Sequence, residues 1–405
     1  MRIFVKIQVG RCKYLCFLMI FTCVLFSCSD DISQMEKDRG EYIDIRMVAK
    51  CDVQFVVKNV SAIDAEYTSI YDVLCYKVIY RTEYMGRPID ASGLLLLPEG
   101  INDCRLIAYF HGTHIPVGSI GGEYKQVPSY FRGEAKSSDF IEVRNIGLCW
   151  ASAGYAVFMP DYVGYGVSGK EEHPYNYYPE MFESNIDGLF AVKSYLTEQG
   201  YPLCDKLFLT GWSQGAGASL SAHKYIEESY SDEFTVLASS HLAGPYNFAG
   251  FMEDVISRKD ESSDIMNILS WSAYSLNKFS GLNIPLDQIY AYPVYDQISA
   301  LNSPSKKPSK VFNSLFLSRI NTSEEDSFKK IARDNSFHKG WKPGGEVFLH
   351  HYEGDEIVPS YNTTDAYAEL KKVGAKVHMY VIGKGSHYVM DGYIYNTIQE
   401  FNNIK

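Results

Sequence analysis

The chain has 405 residues, of which 46% are apolar and 21% are charged, and its formal net charge is −11. This balance is typical of a globular protein with one large core or two modest ones, and it excludes an intrinsically disordered chain. An acidic chain without a lysine- or arginine-rich patch also lacks the electrostatic footprint of a nucleic-acid-binding protein, so we expect no nucleic-acid partner.

The N-terminal residues predict export. Several basic residues precede the apolar run of residues 14–26, which is too short to span a membrane comfortably, so we interpret residues 1–27 as a signal peptide. The run ends in Leu25-Phe26-Ser27-Cys28, which resembles the lipobox of bacterial lipoproteins. That resemblance implies that Cys28 is lipidated and anchors the protein to a membrane. A noncleaved signal anchor and plain secretion are the alternatives.

Residues 28–41 are acidic and polar and are predicted to form a tether. The serine and aspartates that follow Cys28 resemble the export signal of surface-displayed lipoproteins in Bacteroidetes-type bacteria, which implies an outer-membrane location and display at the cell surface. Beyond Cys28 the chain carries five cysteines, an odd number, at positions 51, 75, 104, 149 and 204. None has the spacing of a zinc site, so we expect no metal and no cofactor.

Short apolar segments alternate with helix patterns along the rest of the chain. A hairpin pattern over 71–84 and 90–98 comes first, and further strands are predicted at 105–110, 156–161, 206–211, 234–240, 346–352 and 376–382. A helix is predicted over 184–198, capped by Ser184 and stopped by Gly200. This order predicts the α/β class, with a mostly parallel central sheet flanked by helices.

One section interrupts the alternation. Residues 246–344 are rich in Tyr, Asn, Ser and Pro, contain helix-like pieces and show no strand pattern. They lie between the sixth and seventh predicted strands, where an insertion would cover the carboxyl ends of the strands, the usual ligand-binding edge. We therefore expect an α/β core of residues 42–245 and 345–405, with residues 246–344 as a cap. A surface excursion without a role is the alternative.

Ser213 is the candidate nucleophile. It stands in Gly211-Trp212-Ser213-Gln214-Gly215, a G-x-S-x-G motif between an apolar strand and a predicted helix. Such a strand–turn–helix holds the serine in a strained conformation with its hydroxyl exposed, and the two glycines avoid a Cβ clash with the flanking chain. Because five-residue motifs of this form also arise by chance, the prediction depends on finding an acid, a base and an oxyanion site.

The remaining catalytic groups occur in a consistent order. Asp355 follows the seventh predicted strand in "HYEGDEIVP", and His387 follows the eighth in "GKGSHY". Serine, aspartate and histidine in this chain order are typical of α/β-hydrolases, in which histidine is the base and aspartate orients it. Glu353 and Glu356 flank the aspartate and remain alternative acids.

The oxyanion site is expected in "YFHGTHIP", after the third predicted strand. There Gly112 would allow a tight turn, so we expect the backbone N–H groups of Thr113 and Gln214 to face the developing oxyanion. His111 and His114 form an H-x-x-H pattern without a third ligand nearby in sequence, which we interpret as structural rather than metal-binding.

The segments "YFHGT", "MPDYVGYGVSGKEEHPY", "LTGWSQGAG", "GDEIVP" and "GSHY" together resemble the secreted-lipase and carboxylesterase branch of the α/β-hydrolase superfamily. The resemblance covers roughly residues 70–400 apart from the cap. It implies the α/β-hydrolase fold, a Ser213–Asp355–His387 triad and acyl-ester chemistry on a small-molecule, lipid or glycan ester. The alternatives are a serine peptidase similar to prolyl oligopeptidase and a catalytically inactive surface binding protein.

Overall fold

The computed structural model describes residues 39–59, 70–116, 126–133, 140–321 and 326–404. Within it, Gly40–Lys405 form one compact unit. The predicted signal peptide, Cys28 and most of the predicted tether lie outside the described residues, so these features stay predictions.

Nine strands of the described residues form one sheet. They are β1 (Tyr42–Cys51), β2 (Val73–Tyr84), β3 (Arg87–Pro98), β4 (Leu106–Phe110), β5 (Ala156–Pro160), β6 (Lys206–Trp212), β7 (Thr235–Leu242), β8 (Glu346–His351) and β9 (Val377–Val381). Their order across the sheet is β1-β2-β3-β5-β4-β6-β7-β8-β9. The strands β1, β2, β3 and β5 pair antiparallel, whereas the pairs from β5 to β9 are parallel. This confirms the predicted mostly parallel sheet.

The eight predicted strands correspond to β2–β9, and β1 is the strand that the sequence did not predict. The strand β1 lies at the edge of the sheet, and its pairing with β2 shifts register between Tyr42 and Asp44 and again between Met47 and Ala49. Each shift breaks the alternation of inward and outward side chains by which a half-buried strand is recognised. The central strands β4 and β5, in contrast, are buried at every position, which explains their continuous apolar sequences.

Helices flank the sheet and connect its parallel strands. Before the insertion they are α1 (Val53–Asn59), α2 (Leu148–Ser152), which continues a π-helical turn at Val143–Gly147, α3 (Tyr178–Glu198) and α4 (Gln214–Ser229). Two short 3₁₀ helices occupy Pro128–Tyr130 and Gly166–Ser168.

The helix predicted from Ser184 begins six residues earlier than expected. Tyr178 is its first residue, and Pro179 occupies the first turn, where a missing N–H costs nothing and the fixed φ suits a helix. Ser184 does not cap the helix: it is buried, and its hydroxyl donates to the carbonyl of Met181. The predicted stop is confirmed, since the helix ends at Glu198 just before Gly200, which has a φ of +80°.

The predicted insertion between β7 and β8 is helical. Its helices are α5 (Phe248–Ser257), α6 (Ser263–Phe279), α7 (Leu286–Ile289), α8 (Gln297–Leu301), α9 (Pro308–Val311), α10 (Ser314–Asn321) and α11 (Ser327–Asp334). They share an apolar core, to which Ile357 and Val358 from the loop after β8 also contribute. The helices α12 (Tyr361–Lys372) and α13 (Asp391–Asn403) follow β8 and β9. None of the helices in the described part of the chain is both long enough and apolar enough to cross a membrane.

Candidate active site

Ser213 occupies a sharp turn between β6 and α4. Its backbone has a φ of 57° and a ψ of −121°, a left-handed conformation that is strained for a residue with a Cβ atom. Its N–H donates to the carbonyl of Leu242 on the neighbouring strand β7, at 2.9 Å. The predicted strand, turn and helix are therefore confirmed, and the turn presents the hydroxyl at the carboxyl edge of the sheet.

The two glycines of the motif are explained by close packing. A Cβ atom on Gly215 would overlap the carbonyl oxygen of Phe110 at the end of β4, and a Cβ atom on Gly211 would overlap the carbonyl oxygen of Gly215. Neither glycine has a positive φ. The first turn of α4 thus lies directly against the end of β4, which brings Gln214 close to the loop that begins at His111.

His387 and Asp355 complete a hydrogen-bonded chain with Ser213. The Nε2 atom of His387 lies 2.9 Å from Ser213 Oγ, and its Nδ1 atom lies 2.8 Å from Asp355 Oδ2. The other carboxylate oxygen of Asp355 accepts the backbone N–H groups of Ile357 and Val358, both at 2.9 Å. All three side chains are largely buried, so solvent competes little for these hydrogen bonds.

The loop that carries His387 is held on both sides. Glu356 accepts the backbone N–H of His387 at 3.2 Å, and the indole N–H of Trp212 donates to the His387 carbonyl at 3.0 Å. Glu356 therefore contacts the backbone of the histidine, whereas Asp355 contacts its ring. His351 also approaches Asp355, at 4.0 Å, but burial lowers the pKa of this histidine, so it adds little positive charge beside the carboxylate.

The two predicted oxyanion donors lie in the loop after β4 and at the start of α4. No described residue accepts a hydrogen bond from the N–H of Thr113 or from that of Gln214, so both remain available to a ligand. Gly112 does not have a positive φ, so a left-handed backbone is not the reason for a glycine at this position. A Cβ atom there would lie 2.7 Å from the ring of Trp212, so the glycine instead allows the loop to pack against the residue that precedes the nucleophile.

Three tyrosines fix this oxyanion loop, which we define as residues 111–114. The hydroxyl of Tyr162 donates to the His111 carbonyl at 3.0 Å, and that of Tyr165 donates to the His114 carbonyl at 2.6 Å. The hydroxyl of Tyr175 lies 2.7 Å from Thr113 Oγ1. All three belong to the segment "DYVGYGVSGKEEHPY", which follows β5, so this motif sets the position of the oxyanion loop.

His173 connects the same segment to the nucleophile turn. Burial lowers the pKa of His173 to about 3, so the ring is neutral at pH 7. Its Nδ1–H donates to the carbonyl of Val163 at 2.8 Å, which leaves Nε2 free to accept from the side-chain amide of Gln214. The first residue of α4 is thereby hydrogen-bonded to the loop after β5, which restrains the second oxyanion donor.

His111, His114 and Glu142 form a buried cluster behind the oxyanion loop. Burial lowers the pKa of both histidines to about 3 and raises the pKa of Glu142. The carboxylate of Glu142 accepts the hydroxyl of Tyr109 and, at 3.2 Å, the N–H of Gly112. The imidazole rings stack 4.2 Å apart at 29°, and both ring nitrogens of His111 face backbone carbonyl oxygens, that of Gly112 at 2.8 Å and that of Asp161 at 3.2 Å. The cluster therefore supports the loop.

A cavity of about 350 Å³ opens onto Ser213 and His387. Thr113 and Trp212 form one wall, and the insertion contributes the opposite side through α6 and α8. Apolar and polar groups share its lining, which consists of Thr113, Ile115, Trp212, Ser213, Asp264, Asn267, Ile268, Leu301, Asn302, Ile357, His387 and Tyr388. The Oδ1 atom of Asn267 accepts from the backbone N–H and the hydroxyl of Ser303, which fixes the orientation of its amide.

The chain has the architecture of the α/β-hydrolase fold. Its sheet is mostly parallel with this strand order, a strained serine turn follows β6, and loops bearing an aspartate and a histidine follow β8 and β9. No protein-family model matches the chain, and no curated protein matches it by sequence.

Solved structures with the same fold cover almost the whole chain. A candidate hydrolase from Legionella pneumophila superposes with a TM-score of 0.76 at 23% identity, covering 90% of this chain and 98% of that one. The rice cell wall degrading esterase LipA from Xanthomonas oryzae gives 0.75 at 22%, covering 91% and 100%. Candida antarctica lipase A gives 0.65 at 17%, covering 92% and 84%. At these identities the likeness establishes the fold.

Of the residues that the sequence predicted, Ser213, His387 and Thr113 line one cavity. Asp355 is bonded to the far side of the His387 ring, and Gln214 directly follows Ser213 at the start of α4. Sequence reasoning missed the groups that hold them in position, which are Glu142, Tyr162, Tyr165, His173 and Tyr175. The sequence did draw attention to the four of these that follow β5, since Tyr162, Tyr165, His173 and Tyr175 all lie in "MPDYVGYGVSGKEEHPY", one of the segments on which the resemblance rests. Glu142 had no such signal, because it reaches the loop from a distant helix.

Proposed function

We propose that this chain is a serine hydrolase that cleaves carboxylic esters. Ser213 is the nucleophile, His387 is the general base and acid, and Asp355 orients and stabilises the imidazolium. The backbone N–H groups of Gln214 and Thr113 form the oxyanion hole. The reaction requires no cofactor.

In the first half-reaction, Ser213 Oγ attacks the ester carbonyl while its proton passes to Nε2 of His387. The carbonyl oxygen becomes an oxyanion and accepts from the two free N–H groups, and collapse of the tetrahedral intermediate expels the alcohol, which takes the proton from His387. In the second half-reaction, water gives its proton to His387 and attacks the acyl-enzyme, and the acid leaves as Ser213 regains its proton.

One observation carries this proposal. Ser213, with its positive φ, lies 2.9 Å from a histidine whose other ring nitrogen lies 2.8 Å from a buried carboxylate. This hydrogen-bonded triad opens to a cavity and lies beside the two backbone N–H groups for which no described residue is an acceptor. It has the geometry that acyl transfer needs. The names of two solved structures with the same fold, an esterase and a lipase, favour an ester over a peptide bond.

The cavity favours a small substrate. Its volume of about 350 Å³ lies at the lower end of the range of roughly 300–1,000 Å³ for ligand pockets, and the insertion closes one side of it. We therefore propose that residues 246–344 act as a cap that admits short acyl groups. Hydrolysis of nitrophenyl esters should fall steeply in kcat/KM between acetyl and palmitoyl chains. A preference for palmitoyl would contradict the role of the cap.

We further propose that the protein is exported and anchored in a bacterial outer membrane by lipid on Cys28. The support comes from the sequence of the first 28 residues, in which basic residues, a short apolar run and a lipobox-like segment follow one another. Two lipid chains or more would supply the buried CH₂ groups needed for stable anchoring.

Labelling with a fluorophosphonate probe tests the proposed enzyme class. The probe should modify the wild-type protein and leave Ser213→Ala unmodified, and only the wild type should hydrolyse nitrophenyl acetate. A folded wild-type protein that neither labels nor hydrolyses any ester would support an inactive binding protein instead. Faster turnover of a matched amide than of the ester would indicate a peptidase.

A further inference from the structure

The insertion reaches the oxyanion loop through one aromatic stack. Tyr175 lies in the loop after β5, and Trp271 lies on α6 of the insertion. Their rings are parallel, with centroids 3.8 Å apart and an interplanar angle of 3°. Both side chains are fully buried, so the stack fixes the plane of the phenol and the direction of its hydroxyl.

The hydroxyl of Tyr175 meets Thr113 at the wall of the cavity. The two oxygens are 2.7 Å apart, and Thr113 lines the same cavity as Ser213 and His387. Burial raises the pKa of Tyr175, so the phenol keeps its proton at neutral pH. Either oxygen can donate in this pair, and because a phenol is more acidic than an aliphatic hydroxyl, we assign Tyr175 as the donor and Thr113 as the acceptor. The proton of the Thr113 hydroxyl is then free to point elsewhere.

We propose that the Thr113 hydroxyl is a third oxyanion donor, oriented by Tyr175, which the cap residue Trp271 in turn holds. Thr113 is then a catalytic residue through its side chain as well as its backbone, and Tyr175 and Trp271 are positioning residues. The hydroxyl donates a hydrogen bond to the oxyanion that forms when Ser213 attacks, and no proton or covalent bond is transferred through it. The inference rests on the proposed ester hydrolysis.

The contact between Tyr175 and Thr113 is not needed to hold the backbone of the oxyanion loop. The hydroxyls of Tyr162 and Tyr165 already donate to backbone carbonyls on both sides of Thr113. Tyr175 instead contacts the side chain of Thr113. Thr113 lines the cavity, whereas Tyr175 and Trp271 are not among its described lining residues. Their substitution should therefore change turnover and leave ground-state binding unchanged.

Three substitutions test the hydroxyl. Thr113→Val keeps the shape and the backbone N–H but deletes the donor, and we expect kcat to fall on the order of 10²-fold with KM within about twofold. Thr113→Ser restores a hydroxyl and should recover most of this loss. Tyr175→Phe keeps the stack and removes only the orienting hydroxyl, with an expected fall in kcat of roughly 10-fold. The double variant Thr113→Val/Tyr175→Phe should be no slower than Thr113→Val alone.

A trifluoromethyl ketone that forms a covalent oxyanion adduct with Ser213 provides a second measurement. Its affinity should fall in each variant by the same factor as kcat/KM, whereas inhibition by the acid product should not change. Tyr290→Phe is the matched control, since its buried hydroxyl donates to the Ser270 carbonyl at 2.7 Å within the insertion. It should lower the melting temperature without changing kcat or ketone affinity.

Trp271→Leu tests the part played by the cap. This change removes one ring of the stack and leaves both hydroxyls, so kcat should fall about as far as in Tyr175→Phe, with no further loss when the two are combined. Melting temperature verifies that each variant is folded.

A folded Thr113→Val enzyme with wild-type kcat would overturn the proposal, as would additive losses in the double variant. Full activity in folded Trp271→Leu would overturn the role of the cap. A wild-type protein without esterase activity would instead refute the proposed function itself, so the two failures are distinguishable.

Discussion

Asp355→Asn is the substitution that separates orientation from bond-making in the proposed triad. In the native site one carboxylate oxygen accepts from His387 Nδ1 and the other accepts the N–H groups of Ile357 and Val358. An asparagine has a single acceptor oxygen, so it cannot satisfy both sides. With the oxygen toward the two N–H groups, the amide NH₂ faces His387 Nδ1.

The consequence for catalysis follows from the tautomer. An NH₂ group opposite Nδ1 requires Nδ1 to accept, which moves the ring proton to Nε2, the nitrogen that lies 2.9 Å from Ser213 Oγ. That nitrogen can then no longer take the serine proton. The reverse orientation sets the NH₂ against two backbone donors and loses two hydrogen bonds. We expect a fall in kcat of about 10³- to 10⁴-fold, close to the known cost of this change in other triads.

The assay is kcat for nitrophenyl acetate with purified, folded variants. Ser213→Ala and His387→Ala should each lose on the order of 10⁴-fold or more and should combine without further loss, because both remove the same step. Glu356→Gln is the matched control: its oxygen can still accept the His387 N–H, so kcat should stay within about threefold. Full activity in Asp355→Asn would refute the assignment and would move the acid to Glu356 or Glu353.

Three further changes test other parts of the protein. Gly215→Ala places a Cβ atom onto a carbonyl oxygen of β4 and should destabilise the fold by about 3 kcal/mol or more, measured as a lower melting temperature. Cys28→Ser should convert a membrane-bound protein into a soluble or unprocessed one, and sedimentation with membranes after cleavage at the same site would contradict the lipid anchor. Lowering the pH should weaken the fold, because burial lowers the pKa of His111, His114 and His173 to about 3, below the unfolded value of about 6.5. Between these pH values only the unfolded state takes up their protons, so each histidine should lower the free energy of unfolding by about 1 kcal/mol between pH 6.5 and 5.5. Equal urea midpoints at those two pH values would contradict this.

The parts of the fold that the sequence predicts are those with a local signature. The strands β4 and β5 are continuous apolar runs, and β6 contains the shorter apolar run of residues 207–209. The serine turn is marked by glycines at fixed positions, since any Cβ atom at Gly215 would overlap the neighbouring strand. The chain order of Ser213, Asp355 and His387 then predicts their meeting point, because the carboxyl ends of parallel strands share one edge of the sheet. The strand β1 lacked such a signature, since its two register shifts erase the period of two.

What the sequence could not predict is how the site is held in place. Glu142 reaches the N–H of Gly112 from thirty positions along the chain, and Trp271 reaches Tyr175 from a helix of the insertion. Such contacts depend on where separate elements are packed, and their residues resemble ordinary core residues in the sequence. The candidate catalytic groups can thus be proposed from motifs and chain order, but the buried side chains that hold them in place are identified only in the packed structure. In this protein the proposed oxyanion loop is the clearest case, because the Gly112 N–H, the Thr113 hydroxyl and the carbonyls of His111 and His114 are each bonded to a residue from another part of the chain.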